Sequence, residues 1–252
     1  MYRQLKSIAR SLLPAAWLRV NELRLRKWYV RLFFQKGNCL CLVCGQPLAR
    51  FIPIDKQELL CPACGSGKRH RRLFQLLTEI MNARDALILD FSPNPGFAHY
   101  ASRKWGAYYR TTNFEASDKT DFHFDITRIA AADNSFGIIL CYHVLEHIEE
   151  DRKAMQELLR VLQPGGLCLL QTPFKEGEIY ENPAVVTPGD RLIHFEQEDH
   201  VRIYSVSGLA DRLREAGFRV HIKTYLQGDN PGETFRLGFK EQESIILATK
   251  PE

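Results

Sequence analysis

The sequence predicts an α/β fold: a doubly wound, mostly parallel sheet flanked by helices. Three observations carry this expectation. Gly137–Tyr142 is an unbroken apolar run, as in a strand covered on both faces. From Asp151 to Leu162, apolar Ala154, Met155, Leu158, Leu159 and Leu162 recur at helical spacing. Arg152, Lys153, Glu157 and Arg160 fall between them. Pro164-Gly165-Gly166 then stops the helix, because proline cannot continue it and glycine takes positive φ freely, and Leu167–Gln171 follows as a second buried strand. Strand, helix and strand make one βαβ unit.

Further elements follow in order. Ala86–Phe91 is an apolar strand ending in Asp90-Phe91, followed by the loop Ser92-Pro93-Asn94-Pro95-Gly96 and a helix through Lys104. Ala107–Thr112 and Phe122–Phe124 are expected as the next two strands. After a long segment, Pro173–Val201, come helix Ser207–Ala216, strand Arg219–Tyr225, a polar turn region and strand Ser244–Thr249. A loop longer than about 15 residues inside a compact domain is usually functional or disordered. Tyr180, Asp190, Arg191, His194, Phe195, Glu196, Asp199 and His200 give this one a composition unlike a disordered linker.

Upstream, Cys41-x2-Cys44-Gly45 and Cys61-x2-Cys64-Gly65 are two knuckles separated by 16 residues. This spacing fits a tetrahedral Zn²⁺ site in which thiolates fill all four positions, so a closed structural zinc ribbon is expected rather than a catalytic metal. The glycine after each pair lets the turn adopt positive φ. Cys39 stands too close to Cys41 to form a knuckle, and Cys141 and Cys168 fall in buried strands. The basic run Lys68-Arg69-His70-Arg71-Arg72 leaves two alternatives open: a grip on phosphate, or the solvated start of a connecting helix Arg69–Met81.

The 252 residues hold 45% hydrophobic and 25% charged side chains, ordinary for a globular protein and enough for one α/β domain with a smaller module. The net charge of +4 hides an asymmetry: residues 1–36 carry nine basic side chains against the single acid Glu22. Leu5, Ile8 and Leu12, then Leu18, Leu25, Trp28, Tyr29 and Leu32 after Pro14, suggest two amphipathic, arginine-flanked helices suited to peripheral contact with an anionic membrane or to packing on protein. No apolar run is long enough to cross a bilayer, and Leu12–Leu18 is too short for a secretory signal. Seven cysteines without such a signal imply a reducing compartment, hence a cytoplasmic location, with the arm at the inner membrane face. The chain thus divides into a basic arm (1–36), a zinc ribbon (37–66), a connecting helix (67–84) and an α/β domain (85–252).

The segment F-x-x-I-L-x-x-x-V-L-E-H followed by E-L-x-R-V-L-x-P-G-G, Phe136 to Gly166, resembles class I S-adenosylmethionine (SAM)-dependent methyltransferases of the type 11-like group. C-P-x-C-G-S-x-x-R-H-R, from Cys61 to Arg71, and H-F-x-Q-E-D-H-V-R-I-Y, from His194 to Tyr204, resemble a branch carrying an N-terminal zinc ribbon. The resemblance implies a seven-stranded Rossmann-like sheet with an antiparallel last strand, structural Zn²⁺ and SAM as cofactor. Asp90, Phe91, Ser92, Pro93 and Gly96 would form the methionine cradle, although this loop keeps only one of the usual three glycines. Asn113 stands where an acid normally grips the ribose, with Glu115 as its substitute. Asp125 would accept from the adenine amino group, with a turn cap as the alternative, and Ile126 would flank the ring. Tyr142 and His143 would complete the pocket.

As acceptor base the resemblance points to His147 or His200; a structural turn around Glu146-His147 and a surface histidine are the plainer alternatives. His143-Val-Leu-Glu-His147 also spells an inverted zinc-protease motif, which needs one continuous helix that a strand end cannot supply. The implied reaction is methyl transfer (EC 2.1.1.-) to a small-molecule or glycan hydroxyl, with a role in envelope polysaccharide metabolism. Two other expectations remain: an RNA base methyltransferase that uses the ribbon to bind nucleic acid, and an inactive binding protein that has lost its cofactor.

Overall fold

In the computed structural model of the chain, the described residues are 14–34, 37–54, 58–83, 85–115, 120–226 and 230–252, side chains of residues 15, 16 and 18–20 excepted. Leu5, Ile8 and Leu12 of the basic arm lie outside them. The chain forms two compact units: one of 1–79, 94–100 and 227–241, the other of 80–93, 101–226 and 242–252. Both are discontinuous in sequence.

The first unit holds helix α1 (Ala15–Phe33) and four two-residue strands: β1 (Cys39–Leu40), β2 (Pro47–Leu48), β3 (Ile52–Pro53) and β4 (Leu59–Leu60). β1 pairs with β2 and β3 with β4, both antiparallel, so a small hairpin accompanies each knuckle. α2 (Lys68–Ala83) begins after the second knuckle, its first N–H groups covered by the Glu58 carboxylate, which accepts from Lys68 N at 2.8 Å. An acid at a helix N-terminus satisfies an orphan donor and complements the dipole.

The second unit is built on a six-stranded sheet in the order β11-β12-β8-β7-β5-β6. Its strands are β5 (Ile88–Phe91), β6 (Tyr109–Thr112), β7 (Phe136–Tyr142), β8 (Leu162–Gln171), β11 (Arg219–Leu226) and β12 (Gln242–Thr249). The pairs β5–β6, β5–β7 and β7–β8 are parallel, whereas β12 runs antiparallel to both β8 and β11. The antiparallel last strand matches the expectation. The seventh strand shrinks to one parallel bridge, Thr112 to Phe122. Asp121 causes the shortening, because its carboxylate takes the Thr111 N–H at 2.8 Å and hydroxyl at 2.9 Å on the edge where a longer ladder would run.

Helices α4 (Asp151–Val161) and α6 (Val206–Glu215) bury Ala154, Met155, Leu158, Leu209, Ala210 and Leu213 against Leu89, Ile139, Cys168 and Ile246 of the sheet. Pro164-Gly165-Gly166 does not end α4. The helix stops at Val161, and the tripeptide lies within β8 beside the irregularity in its pairing with β7, where Gly165 (φ 69°) donates to Lys250 O at 3.0 Å. The expected 173–201 loop is ordered by β9 (Tyr180–Glu181), α5 (Pro188–Phe195) and, just beyond it, β10 (Arg202–Ile203), with β9 and β10 paired. Two further α-helices complete those among the described residues. α3 (Pro95–Trp105) follows the Ser92–Asn94 loop, and α7 (Pro231–Leu237) occupies the expected polar turn, capped by the Asn230 side chain.

Candidate functional site

The four cysteines of the first unit come together. Cys41 and Cys64 sulfurs are 3.7 Å apart, Cys44 and Cys61 3.8 Å apart, and all four lie within 4.8 Å of one another. Four thiolates at Zn–S distances of about 2.3 Å form a tetrahedron with edges of about 3.8 Å. Gly45 (φ 67°) and Gly65 (φ 76°) close the knuckles in the left-handed region, each N–H returning to the carbonyl of the first cysteine of its pair. Cys39 stays outside the cluster, and burial pushes its thiol up. Burial does the same, more strongly, to the core thiols Cys141 and Cys168.

Neither alternative for the basic run holds at Arg71 and Arg72, which are buried. Arg71 donates to the carbonyls of Ser66 (2.7 Å), Leu59 (3.0 Å) and Leu237 (2.9 Å), with its guanidinium 4.1 Å from the Phe51 ring centre. Arg72 stacks on Phe239 at 3.6 Å. Both clamp the knuckle module internally.

Gly96 also belongs to this unit. A Cβ there would stand 1.9 Å from the Cys64 carbonyl oxygen, so only glycine lets the start of α3 lie against the second knuckle. The Asn94 side chain caps the helix, accepting from Gly96 N and Phe97 N at 3.0 and 3.1 Å. The expected cofactor glycine therefore has a packing reason of its own.

In the second unit the strand order reverses between β5 and β7, and in open α/β sheets ligands bind beyond the carboxyl ends of the strands at this switch point. Ser92 (φ 50°) follows β5 and His143 (φ 55°) follows β7; both are left-handed non-glycine residues. Their backbones are tied across the strand ends, Ser92 N to Thr112 O and His143 N to Gln171 O, each at 2.8 Å. Such strain persists where surrounding structure fixes it, often at ligand sites.

Buried polar atoms without hydrogen-bond partners among the described residues include Tyr142 Oη, Gln171 Oε1 and Thr172 Oγ1 at the ends of β7 and β8, and His200 Nε2 before β10. Glu146 is 1% exposed, yet neither carboxylate oxygen makes a hydrogen bond among the described residues; Oε1 lies 3.2 Å from His143 Nδ1. Leaving a buried polar group unsatisfied costs about 1–3 kcal/mol. Such groups call for a partner, which a polar ligand or water at the strand ends would supply.

Two histidines face Glu146. One ligand-type atom from each of Glu146, His147 and His200 lies within 4.8 Å of the other two, and the rings meet edge-on at 4.7 Å. His147 Nδ1 lies 3.2 Å from both the carbonyl and carboxylate oxygens of Asp199, and His200 Nδ1 lies 3.1 Å from Phe195 O. A carbonyl only accepts, so Nδ1 of each ring is the donor in these contacts, which leaves Nε2 as the ring atom for other chemistry.

The segment Asp199–Tyr204 holds this arrangement. Asp199 bonds His147, and Val201 N donates to Glu146 O at 2.9 Å. Buried Arg202 donates to the carbonyls of Leu145, Ile148 and Glu149. Tyr204 OH reaches Asp151 at 2.5 Å. Arg202 and Arg212 also share Glu181, at 2.9 and 2.7 Å, which brings β9 into the network. The whole loop from Leu145 to Asp151 is thereby docked.

The remaining expected residues are placed as follows. Asp90 is buried and accepts from Tyr109 OH at 2.5 Å; desolvation pushes its carboxyl up to about 7, with the Tyr109 bond acting in the opposite direction. The side chains of Phe91 and Ile126 lie in the hydrophobic core, which leaves only their main chains to meet a ligand. Asn113 accepts from Ser92 Oγ at 3.0 Å, Pro93 is half-buried beside it in sequence, and Glu115 is exposed. Asp125 forms the turn cap, accepting from Thr127 N and Oγ1, both at 2.8 Å. Gln171 and Thr172 were not expected as functional side chains; their only local signal is a polar pair ending an apolar strand.

A doubly wound sheet with unsatisfied polar groups at its strand ends is the arrangement in which α/β proteins commonly hold ligands. A family model described as a methyltransferase domain matches residues 66–222, more than half of the chain, and the chain belongs to that family. A Mycolicibacterium smegmatis protein named "Probable S-adenosylmethionine-dependent methyltransferase" is 29% identical over 98 residues, 39% of this chain and 34% of its own. A demethylmenaquinone methyltransferase of Clavibacter sepedonicus is 31% identical over 102 residues, covering 34% of this chain and 42% of that protein. The chain thus spans about a third to two fifths of the length of these curated relatives. A solved SAM-dependent methyltransferase from Archaeoglobus fulgidus aligns over 72% of this chain and 94% of its own, at 14% identity and a TM-score of 0.49.

Proposed function

We propose that the protein is a SAM-dependent methyltransferase that methylates a hydroxyl of a small molecule or glycan, and that Cys41, Cys44, Cys61 and Cys64 hold a structural Zn²⁺. The observations that carry the enzymatic reading are the unsatisfied buried polar atoms at the ends of β7 and β8 and the grouping of Glu146, His147 and His200. The family membership and the names of the relatives support SAM as donor.

Bound SAM would supply an electrophilic methyl group for in-line displacement. The Ser92-Pro93 turn, Asn113, Tyr142 and His143 would hold it, with Asp90 behind them and main-chain groups of Phe91 and Ile126 alongside. Glu115 and Asp125 remain candidates for the ribose and adenine. An acceptor hydroxyl loses its proton as the oxygen–carbon bond forms, so a base within hydrogen-bond reach speeds transfer by about 10²–10⁴-fold. His147 Nε2 or His200 Nε2 accepts that proton, and buried Glu146 stabilises the imidazolium. Arg202 and Asp199 act as positioning residues: they fix the loop and one ring without touching the acceptor.

The test is incorporation of labelled methyl from SAM into fractionated small-molecule, glycan and RNA pools by the full chain. Label in the small-molecule or glycan pool, lost in a His147→Ala/His200→Ala variant that still binds S-adenosylhomocysteine, is expected. Label confined to RNA, or full activity in that variant, contradicts the acceptor and base assignments. Zinc content near one ion per chain, lost in Cys61→Ser, tests the metal.

A further inference from the structure

Helix α1 has two faces with different fates. Its inward face is packed: Val30 and Phe34 are buried, Phe34 O accepts from Ala49 N at 2.9 Å, and Arg26 binds Glu22 at 2.8 Å. Trp17, Leu25, Trp28 and Leu32 fall along a different face at 3.6 residues per turn, and they are 45%, 42%, 67% and 66% exposed. Four large apolar side chains in one exposed stripe are far more than scattered surface hydrophobics require.

The charges beside the stripe select its occupant. Arg24, Lys27 and Arg31 are exposed along one flank, while Glu22, the single acid in residues 1–36, is turned to Arg26. A cationic border on an apolar stripe fits a surface that is anionic outside and apolar just beneath. Tryptophan suits that boundary because its ring is amphipathic. No described helix is long and apolar enough to cross a membrane, so the helix lies on such a surface and does not span it.

We propose that the Trp17–Leu25–Trp28–Leu32 face of α1 docks on an anionic lipid bilayer, with Arg24, Lys27 and Arg31 at the phosphate level. This inference is independent of the methyl-transfer reading, since it uses no residue of the strand-end site.

The test is co-sedimentation of the full chain with phosphatidylcholine vesicles containing phosphatidylglycerol, against phosphatidylcholine alone, at low and high salt. Binding to the anionic vesicles that falls with salt is expected. Each near-surface base contributes about fivefold to partitioning, so Arg24→Gln/Lys27→Gln/Arg31→Gln should weaken it by about a hundredfold. Trp28→Ala/Leu32→Ala should abolish pelleting while circular dichroism and melting stay unchanged, because the replaced side chains are exposed. In Trp105→Phe protein, emission from Trp17 and Trp28 should shift to the blue on binding. Absence of pelleting, or equal pelleting with neutral vesicles, overturns the proposal. So does a concentration-dependent dimer dispersed by Trp28→Ala/Leu32→Ala without vesicle binding, which would assign the face to a second copy.

Discussion

Replacing Gly96 by alanine separates two roles that one glycine could serve. A Cβ there would sit 1.9 Å from the Cys64 carbonyl oxygen and 3.1 Å from its carbon, whereas ordinary contact begins near 3.4 Å. The start of α3 and the second knuckle would have to part by about 1.5 Å, and both contacting groups are backbone, which cannot rotate aside. Overpacking typically costs 1–3 kcal/mol, and this geometry belongs at about the upper end. In a chain of 252 residues about 3 kcal/mol lowers Tm by roughly 6–12 °C. Because Cys64 is itself in the cluster, bound zinc should also be released faster to a chromophoric chelator. Scanning fluorimetry and zinc-release kinetics on the purified full chain provide both readouts. Unchanged melting and zinc retention, with cofactor binding alone lost, would refute the packing explanation and return Gly96 to the cofactor loop.

Other expectations test the strand-end site and its supports. Asp90→Asn should remove a pH-dependent destabilisation. Because burial raises the folded-state carboxyl from 3.8 to about 7, the wild type loses stability as pH climbs from about 4 to 7, by up to roughly 4 kcal/mol, and is level above that. The variant's stability relative to wild type should rise across that window; a constant difference between pH 4 and 8 would contradict it. Glu146→Gln should lower kcat by about tenfold or more, since it replaces the carboxylate grouped with His147 and His200; an unaltered kcat would make Glu146 structural. Arg202→Met leaves the carbonyls of Leu145, Ile148 and Glu149 without the Arg202 donor, while Asp151 keeps Tyr204 and Arg212. Leaving buried carbonyls unsatisfied in this way costs about 1–3 kcal/mol. A loss below 1 kcal/mol by urea denaturation would show that the docking network is dispensable.

Much of the sheet was legible because its signals are local. β7 and the second half of β8 are unbroken apolar runs, α4 has a sharp amphipathic stripe, and the cysteine spacing specifies its own cluster. Turn chemistry misled in two places. Pro164-Gly165-Gly166 was expected to end a helix but forms an irregular strand segment, held by Lys250 from the far end of the chain. Asn230-Pro231-Gly232-Glu233 was expected within a polar turn, although Asn at the cap, Pro in the first turn and Glu three residues after the cap are helix-start signals. The functional site was half visible. His147 and His200 could be named, but their juxtaposition depends on contacts between the 145–151 loop and residues 199–204, pairs about 50 positions apart, such as His147–Asp199 and Arg202–Ile148. Arg71 shows the same limit: a basic run suggests phosphate until distant carbonyls at Leu237 and elsewhere consume its donors.

Titration of S-adenosylhomocysteine into the full chain by calorimetry, paired with a thermal shift, tests the central claim most directly. Saturable binding at one site per chain is expected, with a Tm rise that grows with ligand concentration and a weaker affinity in Tyr142→Phe/Thr172→Val. No heat and no shift at about millimolar ligand would contradict the assignment, because the unsatisfied atoms at the ends of β7 and β8 would then serve something other than a methyl donor.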